Sequence, residues 1–390
     1  MWEVFLIFLR LGCTSFGGPV AHLGYFQSEF VERRGWLSGE SFAELVALAQ
    51  SLPGPASSQV GFAIGLSRAG IPGGLAAWLG FTAPSTALML AFAFGHSLFS
   101  GKGGAALLHG LQLVAVAVVA QAVLAMRQRL APDRKRLAFA IVAVAIVLSG
   151  PPFLFTILAI VAGALGGLLL LRSGTDNAAG QQPAFVSTRT GGVAAALFVL
   201  LFVTSLAIRR NELSGLDLFA NFFCVGSLVF GGGHVVLPLL DGLVVAKGWI
   251  SQQAFLAGYG AAQALPGPLF SFAAYVGAAA RPDPRPFAAG LIALIAIFLP
   301  GLLLITATLP FWHVLREQPG VQSALRGVNA SVVGVLIAAL YEPVWTSTVH
   351  SPADFWIALA AFALLTAWRV APWIVVVSVG GACWLRGIFF

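Results

Sequence analysis

The stretch "SLPGPASSQVG" runs from Ser51 to Gly61, inside a segment that is apolar enough to cross a membrane. A second stretch, "ALPGPLFSFAA" from Ala264 to Ala274, carries the same Pro-Gly-Pro motif in an equally apolar setting. Proline donates no backbone N–H and pushes the preceding residue out of helical geometry, so each motif is expected to interrupt a helix. Two membrane helices broken in the same way indicate a repeated unit in which the break has a function.

The composition of the chain identifies the solvent in which it folds. Of its 390 residues, 59% are hydrophobic and only 9% are charged, and the mean hydropathy is +0.93. Soluble proteins carry about 25% charged residues. Apolar runs of about 20 residues recur along the chain and predict an all-α, polytopic membrane protein. The opening run, "MWEVFLIFLRLG", has no basic n-region and is expected to be retained as a helix.

About thirteen apolar segments are predicted to be transmembrane helices. They lie at 3–24, 41–67, 74–98, 106–126, 137–150, 152–171, 193–208, 216–240, 254–280, 287–311, 324–345, 353–368 and 371–389. A polar linker at 172–192 is expected to follow an N-terminal repeat, 1–171. The C-terminal repeat, 215–390, is expected to follow a connecting transmembrane helix at 193–214.

The two halves share an ordered series of motifs. The "FGG" at Phe16–Gly18 matches Phe230–Gly232 at an offset of 214, and Pro53–Pro55 matches Pro266–Pro268 at an offset of 213. A slowly drifting offset with matched helix breakers indicates a duplicated unit. Seven predicted crossings separate the starts of the two repeats, and an odd number places the second repeat upside down. Inverted repeats around a site at the membrane midplane are a recurring plan of secondary transporters.

The positive charge of the chain predicts its orientation. The net charge is +7, and the cluster of basic residues between Arg127 and Arg136 supplies most of the difference between the two predicted sides. This bias predicts a cytoplasmic N-terminus and an outer C-terminus. The cluster is interpreted as a topological anchor, with binding to head groups of the lipid bilayer as the alternative. The charge is not interpreted as a nucleic-acid surface, and no nucleic-acid partner is expected.

The helix breaks predict an anion site inside the membrane. A helix that starts at Pro55 leaves the first backbone N–H groups at the positive end of its dipole, where they attract negative charge. The motifs Phe16–Pro19 and Phe230–His234 free the backbone in two further segments. The candidate substrate-binding residues are Ser15, Gly17, Gly18, His22, Gln50, Pro53, Gly54, Pro55, Ala56, Ser57, Ser58, Gly231, Gly232, His234, Gln263, Pro266, Gly267 and Pro268.

The second repeat is less polar than the first at its Pro-Gly-Pro break. Leu269 and Phe270 stand where the first repeat has Ala56 and Ser57. We therefore expect the first repeat to supply more of the ligand contacts. The alternative is that each Pro-Gly-Pro motif is only a kink in a packed membrane helix.

The isolated ionisable residues each have two interpretations. His22 and His234 are either polar helix-packing residues or groups that bind the substrate. Arg10 either extends to the interface or balances a bound anion, and Glu44 is either a proton site or a cap near the interface. Arg10 and Glu44 are therefore the candidates for charge balance or coupling. The three cysteines show no metal-binding spacing, and no metal or cofactor is expected.

The sequence around these motifs resembles a known family. "FLRLGCTSFGGPVAHLGYF" and "LVALAQSLPGPASSQVGF" in the first half, with "FFCVGSLVFGGGHVVLPLL" and "AAQALPGPLFSFAAYVGA" in the second, are similar to the chromate ion transporters of prokaryotes, in their long, two-domain form. The resemblance implies two inverted homologous halves and a location in the inner membrane. It also implies that the protein exports chromate from the cytoplasm and confers chromate resistance.

Other functions stay open at this point. Sulfate has the charge and tetrahedral shape of chromate, so a sulfate or other oxyanion transporter is one alternative and an anion channel is another. The chain has no G-x-x-x-x-G-K-[ST] motif, so we expect transport driven by the membrane potential or a proton gradient. An enzyme is disfavoured because the sequence has no Cys/His cluster, haem motif or paired intramembrane aspartates. The sequence does not fix the oligomeric state and is compatible with a homodimer.

Overall fold

The computed structural model describes residues 1–95, 101–171, 186–208, 214–280 and 285–389. Helices joined by short turns account for nearly all of these residues, and no strand occurs among them. The helices are α1 (Trp2–Thr14), α2 (Gly18–Gln27), α3 (Gly39–Ser51), α4 (Ala56–Phe94), α5 (Lys102–Leu130), α6 (Arg134–Leu148), α7 (Pro152–Leu170), α8 (Thr188–Ile208), α9 (Gly215–Leu228), α10 (Val236–Leu240), α11 (Gln252–Ala262), α12 (Phe272–Ala279), α13 (Pro286–Thr308), α14 (Trp312–Glu317), α15 (Pro319–Ala339), α16 (Pro352–Thr366) and α17 (Pro372–Phe389).

The all-α, polytopic membrane class is confirmed. Seven helical segments of the described chain are long and apolar enough to cross a membrane: Ala56–Phe94, Lys102–Leu130, Pro152–Leu170, Thr188–Ile208, Pro286–Glu317, Pro319–Trp345 and Pro372–Phe389. Helix α8 begins at Thr188, so its first turn lies within the segment that was predicted as linker, 172–192. Residues 172–185 of that linker lie outside the described ranges.

The first predicted span, 3–24, belongs to a helical hairpin that returns to the end of the bundle at which it starts. Helix α1 has 13 residues, a length of about 20 Å, which is shorter than the hydrocarbon core of a membrane at about 30 Å. After the break at Ser15–Gly17, α2 and a π-helical turn, Ser28–Arg33, run back along α1. Arg34 then forms an ion pair with Glu3 at 3.1 Å, which joins the two ends of the hairpin.

The second predicted span, 41–67, is also a hairpin. Helix α3 has 13 residues and leads to the Pro-Gly-Pro break, after which the first arm of α4 returns. Arg68, at the end of this arm, lies 4.9 Å from the ring centroid of Trp36, which precedes α3. Helix α4 then reverses at Ala69–Gly70, where the backbone is not helical. Gly65 and Gly73 pack backbone to backbone across this reversal, which leaves no room for a side chain at either position.

The second repeat contains the corresponding pair of hairpins, so the predicted spans 216–240 and 254–280 also fold back. Lys247, after α10, donates to Oδ1 of Asn221 in α9 at 3.3 Å. The hydroxyl of Tyr275 in α12 donates to the carbonyl of Ala254 in α11 at 2.9 Å. Between the starts of the two repeats, the described chain therefore passes five times from one end of the bundle to the other, in the second arm of α4 and in α5 to α8, where the sequence predicts seven crossings. Helix α6, with 15 residues, is not among the seven segments that are long enough to cross a membrane.

The two repeats begin at opposite ends of the bundle. We call the end at which α1 starts the first end. Glu44 in α3 forms an ion pair with Arg316 in α14, the short helix that follows α13, so α13 ends at the first end. Gly191 near the start of α8 lies against Ala307 and Pro310, so α8 also begins there. Helix α8 has 21 residues and is about 32 Å long, so it ends at the opposite end of the bundle, which we call the second end. Helix α9 starts at the second end.

The repeats exchange their long helices. Helix α5 of the first repeat packs against α16 and α17 of the second, with Gly110 against Cys383 and Gly380. Helix α15 of the second repeat packs in the same way against α6 and α7 of the first, with Gly327 against the backbone of Gly163 and Gly167. Each half therefore covers part of the other, and the largest hydrophobic cluster contains residues of both.

Candidate functional site

Two reciprocal hydrogen bonds join the broken helices of the two repeats. The backbone N–H of Gly54 donates to the carbonyl of Val229 at 2.8 Å, and the N–H of Gly267 donates to the carbonyl of Ser15 at 2.9 Å. Gly267 is the repeat equivalent of Gly54, and Val229 is the equivalent of Ser15. An exchange of the same contact in both directions is the property of an interface with two-fold symmetry. The pseudo-two-fold axis of the protein therefore passes between these four residues.

Only glycine fits the centre of each Pro-Gly-Pro motif. Gly54 has φ +117° and Gly267 has φ +91°, a region that disfavours residues with a Cβ. A Cβ on Gly54 would also lie 3.0 Å from Cα of Gly301 in α13, and a Cβ on Gly267 would lie 3.0 Å from Oγ of Ser85 in α4. Ser85 follows Pro84 in α4 and Gly301 follows Pro300 in α13, and these two prolines match between the repeats at an offset of 216. The symmetry therefore extends to the surroundings of each break.

The N-terminal tips of the four returning segments converge. These tips are the start of α2 at Gly18, the start of α4 at Ala56, and two 3₁₀ turns in the second repeat, Gly233–Val235 and Leu269–Ser271. A Cβ placed on Gly233 would lie 3.8 Å from Cγ of Pro19 and 3.7 Å from Cδ2 of Leu269. Gly233 therefore lies beside the tip of α2 and the tip at Leu269, and the Gly54–Val229 bond brings the tip of α4 to the same region.

The two tips of the first repeat carry free hydrogen-bond donors. No side-chain cap occupies the N-terminus of α2 or of α4. The first intrahelical bond of α4 runs from the N–H of Gln59 to the carbonyl of Pro55 at 3.0 Å, so the N–H groups of Ala56, Ser57 and Ser58 precede the helical ladder. In the second repeat the corresponding turn is tighter, because the N–H of Ser271 already bonds to Pro268 at 3.1 Å.

Several buried polar atoms near the tips have no partner within the described residues. Among them are the hydroxyls of Ser15 and Ser58, whose residues are 0% and 2% exposed, and Nε2 of Gln263. A buried donor left unsatisfied costs about 1–3 kcal/mol. Hydroxyl and amide donors of this kind, next to uncapped helix tips, indicate that the site is built to hold a polar ligand or water.

His22 fixes the geometry of the first repeat. Its Nε2 lies 3.2 Å from the carbonyl of Ser15, and its Nδ1 lies 3.3 Å from Oγ of Ser57. Because a carbonyl only accepts, Nε2 carries the proton and Nδ1 accepts from the Ser57 hydroxyl. His22 thus joins α2 to α4. His234 is bonded differently, through Nδ1 to the hydroxyl of Tyr259 at 2.7 Å. These contacts favour the helix-packing interpretation of both histidines.

The remaining candidates lie in the helix breaks or beside them. Gly17, Gly18, Gly231 and Gly232 form the glycine-rich breaks, with φ of +101°, +76°, +76° and +145°. Pro53, Pro55, Pro266 and Pro268 are buried at the Pro-Gly-Pro breaks, whereas Gln50 is exposed in the last turn of α3.

The two charged candidates are engaged away from the tips. Arg10 pairs with Glu29 at 2.6 Å, on the returning arm of the first hairpin. Glu44 accepts from Nε1 of Trp312 at 3.0 Å and pairs with Arg316. The structure therefore does not bring Arg10 or Glu44 to the converging tips, and the partners it gives them neutralise their charges locally.

Sequence reasoning missed Gln59. Its Nε2 donates to the carbonyls of Pro53 at 3.0 Å and Gly301 at 3.1 Å, so one fully buried amide connects the break of the first repeat to the crossing helix of the second. The available signal was an amide side chain within an apolar helix, immediately after Ser57 and Ser58. Its partner in α13 is 242 residues away and could not be inferred from the local sequence.

The comparison with known proteins agrees with this architecture. The sequence profile described as chromate transporter matches residues 2–168 and again residues 216–384, which are the two repeats. The chain belongs to the chromate transporter family. Its members are transporters and not enzymes.

Three relatives match nearly the full chain. A chromate transport protein of Pseudomonas aeruginosa is 28% identical, with 98% of this chain and 92% of the relative covered. A probable chromate transport protein of Synechococcus elongatus is 26% identical, with 93% and 88% covered. A chromate transport protein of Cupriavidus metallidurans is 27% identical, with 93% and 87% covered. No solved structure matches the chain.

Proposed function

We propose that this member of the chromate transporter family exports a tetrahedral dianion, with chromate as the principal substrate, from the cytoplasm and so confers chromate resistance. The observation that carries the proposal is the convergence of uncapped helix tips with the unpartnered hydroxyls of Ser15 and Ser58. The names of the relatives supply the substrate class. The proposed binding residues are those of the helix breaks that were selected from the sequence.

The proposed site holds the dianion with dipoles and hydrogen bonds rather than with basic side chains. The N-terminus of a helix is equivalent to about half a positive charge, so α2 and α4 together supply about one. The N–H groups of Ala56, Ser57 and Ser58 and the two free hydroxyls add charge-assisted hydrogen bonds. Because no fixed cation holds the ligand, release to the other side does not require an ion pair to break.

The membrane potential is sufficient to drive this export. Moving a charge of −2 from a negative interior to the outside is favourable by about 4.6 kcal/mol per 100 mV, twice the value for a single charge. The proposal places the protein in the prokaryotic inner membrane with the first end, and hence the N-terminus, in the cytoplasm. Coupling to a proton is the alternative, but the candidate carboxylate, the partly buried Glu44, already accepts from Trp312 and pairs with Arg316.

The reciprocal bonds suggest how access alternates. Rocking of one repeat against the other about a fixed site is the common mechanism of transporters with inverted repeats. The Gly54–Val229 and Gly267–Ser15 bonds lie at the pseudo-two-fold axis, where such a motion displaces atoms least. The Glu44–Arg316 ion pair joins the repeats at the first end, which would have to open to admit substrate from the cytoplasm.

Transport by the purified protein in proteoliposomes tests the proposal. Radiolabelled chromate is loaded with the protein present or absent, under a potassium diffusion potential of either sign and with a protonophore. We expect chromate movement that follows the potential and persists with the protonophore. Failure to move chromate, sulfate or any other oxyanion would reject the proposal.

Sulfate is the second candidate substrate, because backbone and hydroxyl donors recognise shape and charge but not the central atom. Competition by unlabelled sulfate in the same proteoliposomes measures the preference. Half-inhibition at similar concentrations of sulfate and chromate would identify a general transporter of tetrahedral dianions. Step-like currents in a planar bilayer would instead identify an anion channel.

A further inference from the structure

A basic pocket lies at the first end of the bundle, and none of the residues that form the converging tips lines it. It has a volume of about 800 Å³ and lies between the start of α6, the end of α7 and the first half of α15. Its charged lining consists of Asp133, Arg134, Lys135, Arg136 and Arg326. Four cations therefore face one carboxylate, and the cations come from both repeats.

Only one of these cations is neutralised within the pocket. Asp133 caps α6 and forms an ion pair with Arg136 at 2.8 Å. The N–H of Arg136 holds the pKa of the Asp133 carboxyl below its usual range, so this carboxylate stays charged and paired. Arg134, Lys135 and Arg326 form no ion pair with any acidic residue of the described chain. The pocket thus retains a surplus of positive charge.

An apolar groove of about 380 Å³ continues from the basic pocket along the helices. The two cavities share Lys135 and Leu170 in their linings. The groove runs between α6 and α7 and reaches Ser331 of α15, and it is lined mainly by Phe139, Val142, Ile146, Ala159, Ala162 and Gly163. Its occupant must combine an anionic group with a hydrocarbon chain.

We propose that this pocket and groove bind an anionic phospholipid of the surrounding leaflet. Its phosphate lies among Arg134, Lys135 and Arg326, and one acyl chain lies in the groove beside Gly163. Basic pockets between transmembrane helices bind anionic head groups, and cytoplasmic leaflets carry the anionic lipid. A free inorganic phosphate fits the charge of the pocket but leaves the groove unused. Because the site joins α6 and α7 of one repeat to α15 of the other, the lipid also stabilises the contact between repeats.

Binding of lipids of defined composition to the full-length protein tests this inference. The protein in neutral detergent is titrated with phosphatidylglycerol, with phosphatidylcholine of the same acyl chains, and with glycerol phosphate, which has no chains; native mass spectrometry counts bound lipid. We expect phosphatidylglycerol to bind at least tenfold more tightly than phosphatidylcholine and to raise the thermal midpoint. Equal binding of the two lipids, or binding of glycerol phosphate as tight as that of phosphatidylglycerol, would overturn the proposal.

Paired variants locate the head group. Each cation removed should weaken phosphatidylglycerol binding about fivefold. R326Q should therefore weaken it about fivefold and R134Q/K135Q about 30-fold. The matched control is R127Q/R129Q, which removes two cations from the nearby end of α5, outside the pocket. A loss in the control as large as that in R134Q/K135Q would show general attraction to the surface and would refute the site.

A second pair locates the acyl chain. Ala162→Trp fills the groove, whereas Val161→Trp places the same ring on an exposed neighbour outside it. We expect the first to weaken phosphatidylglycerol binding at least fivefold and the second to leave it unchanged. Unchanged binding in Ala162→Trp would contradict the assignment of the groove, and neither change touches the pocket's charges.

Discussion

The backbone nitrogen of Gly54 lies 2.8 Å from the carbonyl oxygen of Val229, so the Pro-Gly-Pro break of one repeat is completed by the glycine-rich break of the other. The same bond recurs between Gly267 and Ser15. In the interior of a membrane an unsatisfied backbone group costs several kcal/mol, so each broken helix depends on its inverted counterpart. The breaks are therefore parts of one central structure and not two independent kinks.

Replacing Gly54 with alanine should abolish transport. The substitution places a Cβ on a residue with φ +117°. This Cβ would lie only 3.0 Å from Cα of Gly301, a backbone atom that cannot move away by rotation of a side chain. The left-handed conformation alone costs about 1–2 kcal/mol for a residue with a Cβ. We expect more than a tenfold loss of chromate transport in proteoliposomes, together with a lower thermal midpoint.

Gly24→Ala in α2 is the control for this change, because a Cβ at Gly24 would have no atom within 4 Å. Gly267→Ala, the repeat equivalent, provides a second variant if Gly54→Ala does not accumulate. If Gly54→Ala and Gly267→Ala both transport chromate as well as Gly24→Ala does, the Pro-Gly-Pro motifs have only a packing role.

Removing the free hydroxyls should weaken substrate binding. Ser58→Ala and Ser15→Ala each delete a buried donor that has no protein partner within the described residues. A hydrogen bond to a charged group contributes about 1.5–3 kcal/mol, so we expect KM for chromate to rise about tenfold or more in each variant. Thermal stability without substrate should stay the same or rise, because a buried unsatisfied group is lost.

Ser67→Ala is the matched control for the hydroxyl variants. It lies on the same arm of α4, and its hydroxyl is already bonded to the carbonyl of Ile64 at 2.8 Å. An unchanged KM in Ser15→Ala and Ser58→Ala would mean that these hydroxyls bind water and not the anion.

Gln59→Leu should destabilise the centre of the protein. The change keeps a similar volume but removes the donor that satisfies the carbonyls of Pro53 and Gly301. Two buried acceptors then lose a partner, at about 1–3 kcal/mol each, and the thermal midpoint should fall by several degrees. Gln121→Leu, which removes one partly buried bond to Leu365 at 3.3 Å, should have a smaller effect. Equal midpoints in the two variants would contradict the central role of Gln59.

Glu44→Gln should weaken the contact between repeats at the first end. The carboxylate pairs with Arg316 and accepts from Trp312, and both charged side chains are mostly buried, at 15% and 17% exposure. Removing one partner of a buried ion pair is strongly destabilising. We expect a lower thermal midpoint and easier labelling of a cysteine introduced at this end. Glu40→Gln, an exposed carboxylate in the same helix, serves as the control.

The exchanged pair E44R/R316E distinguishes charge from packing at this contact. It should recover much of the thermal midpoint that is lost in Glu44→Gln. If the exchanged pair is no more stable than Glu44→Gln, the contact depends on local packing and not on opposite charge.

The sequence predicted where the helices break because proline and glycine act locally. The interruptions at Pro53–Pro55 and Phe16–Gly18 follow from the missing N–H of proline and the conformational freedom of glycine. The predicted boundary between the segments 41–67 and 74–98 also falls on the non-helical residues Ala69 and Gly70. The family and its substrate class came from the resemblance of these motifs and not from their physics.

The return of the chain at each break could not be predicted in the same way. A helix of 13 residues, a break and a returning arm together present an apolar run as long as a transmembrane helix, and hydropathy does not record direction. Contacts such as Glu3–Arg34 and Glu29–Arg10 show that the chain folds back, and they join residues that are far apart in the chain. The structure therefore has five passes between the starts of the two repeats, whereas the sequence predicts seven. Both numbers are odd, so the predicted inversion of the second repeat is unaffected.

The exchange of α5 and α15 limits what a single half of this protein can do. Each long helix leaves its own half and is enclosed by the terminal pair of the other, so neither half is a self-sufficient folding unit. A polypeptide with one repeat would bury α5 only by meeting a second copy inserted the other way up. Severing the chain between the halves should therefore yield two fragments that are recovered together or not at all.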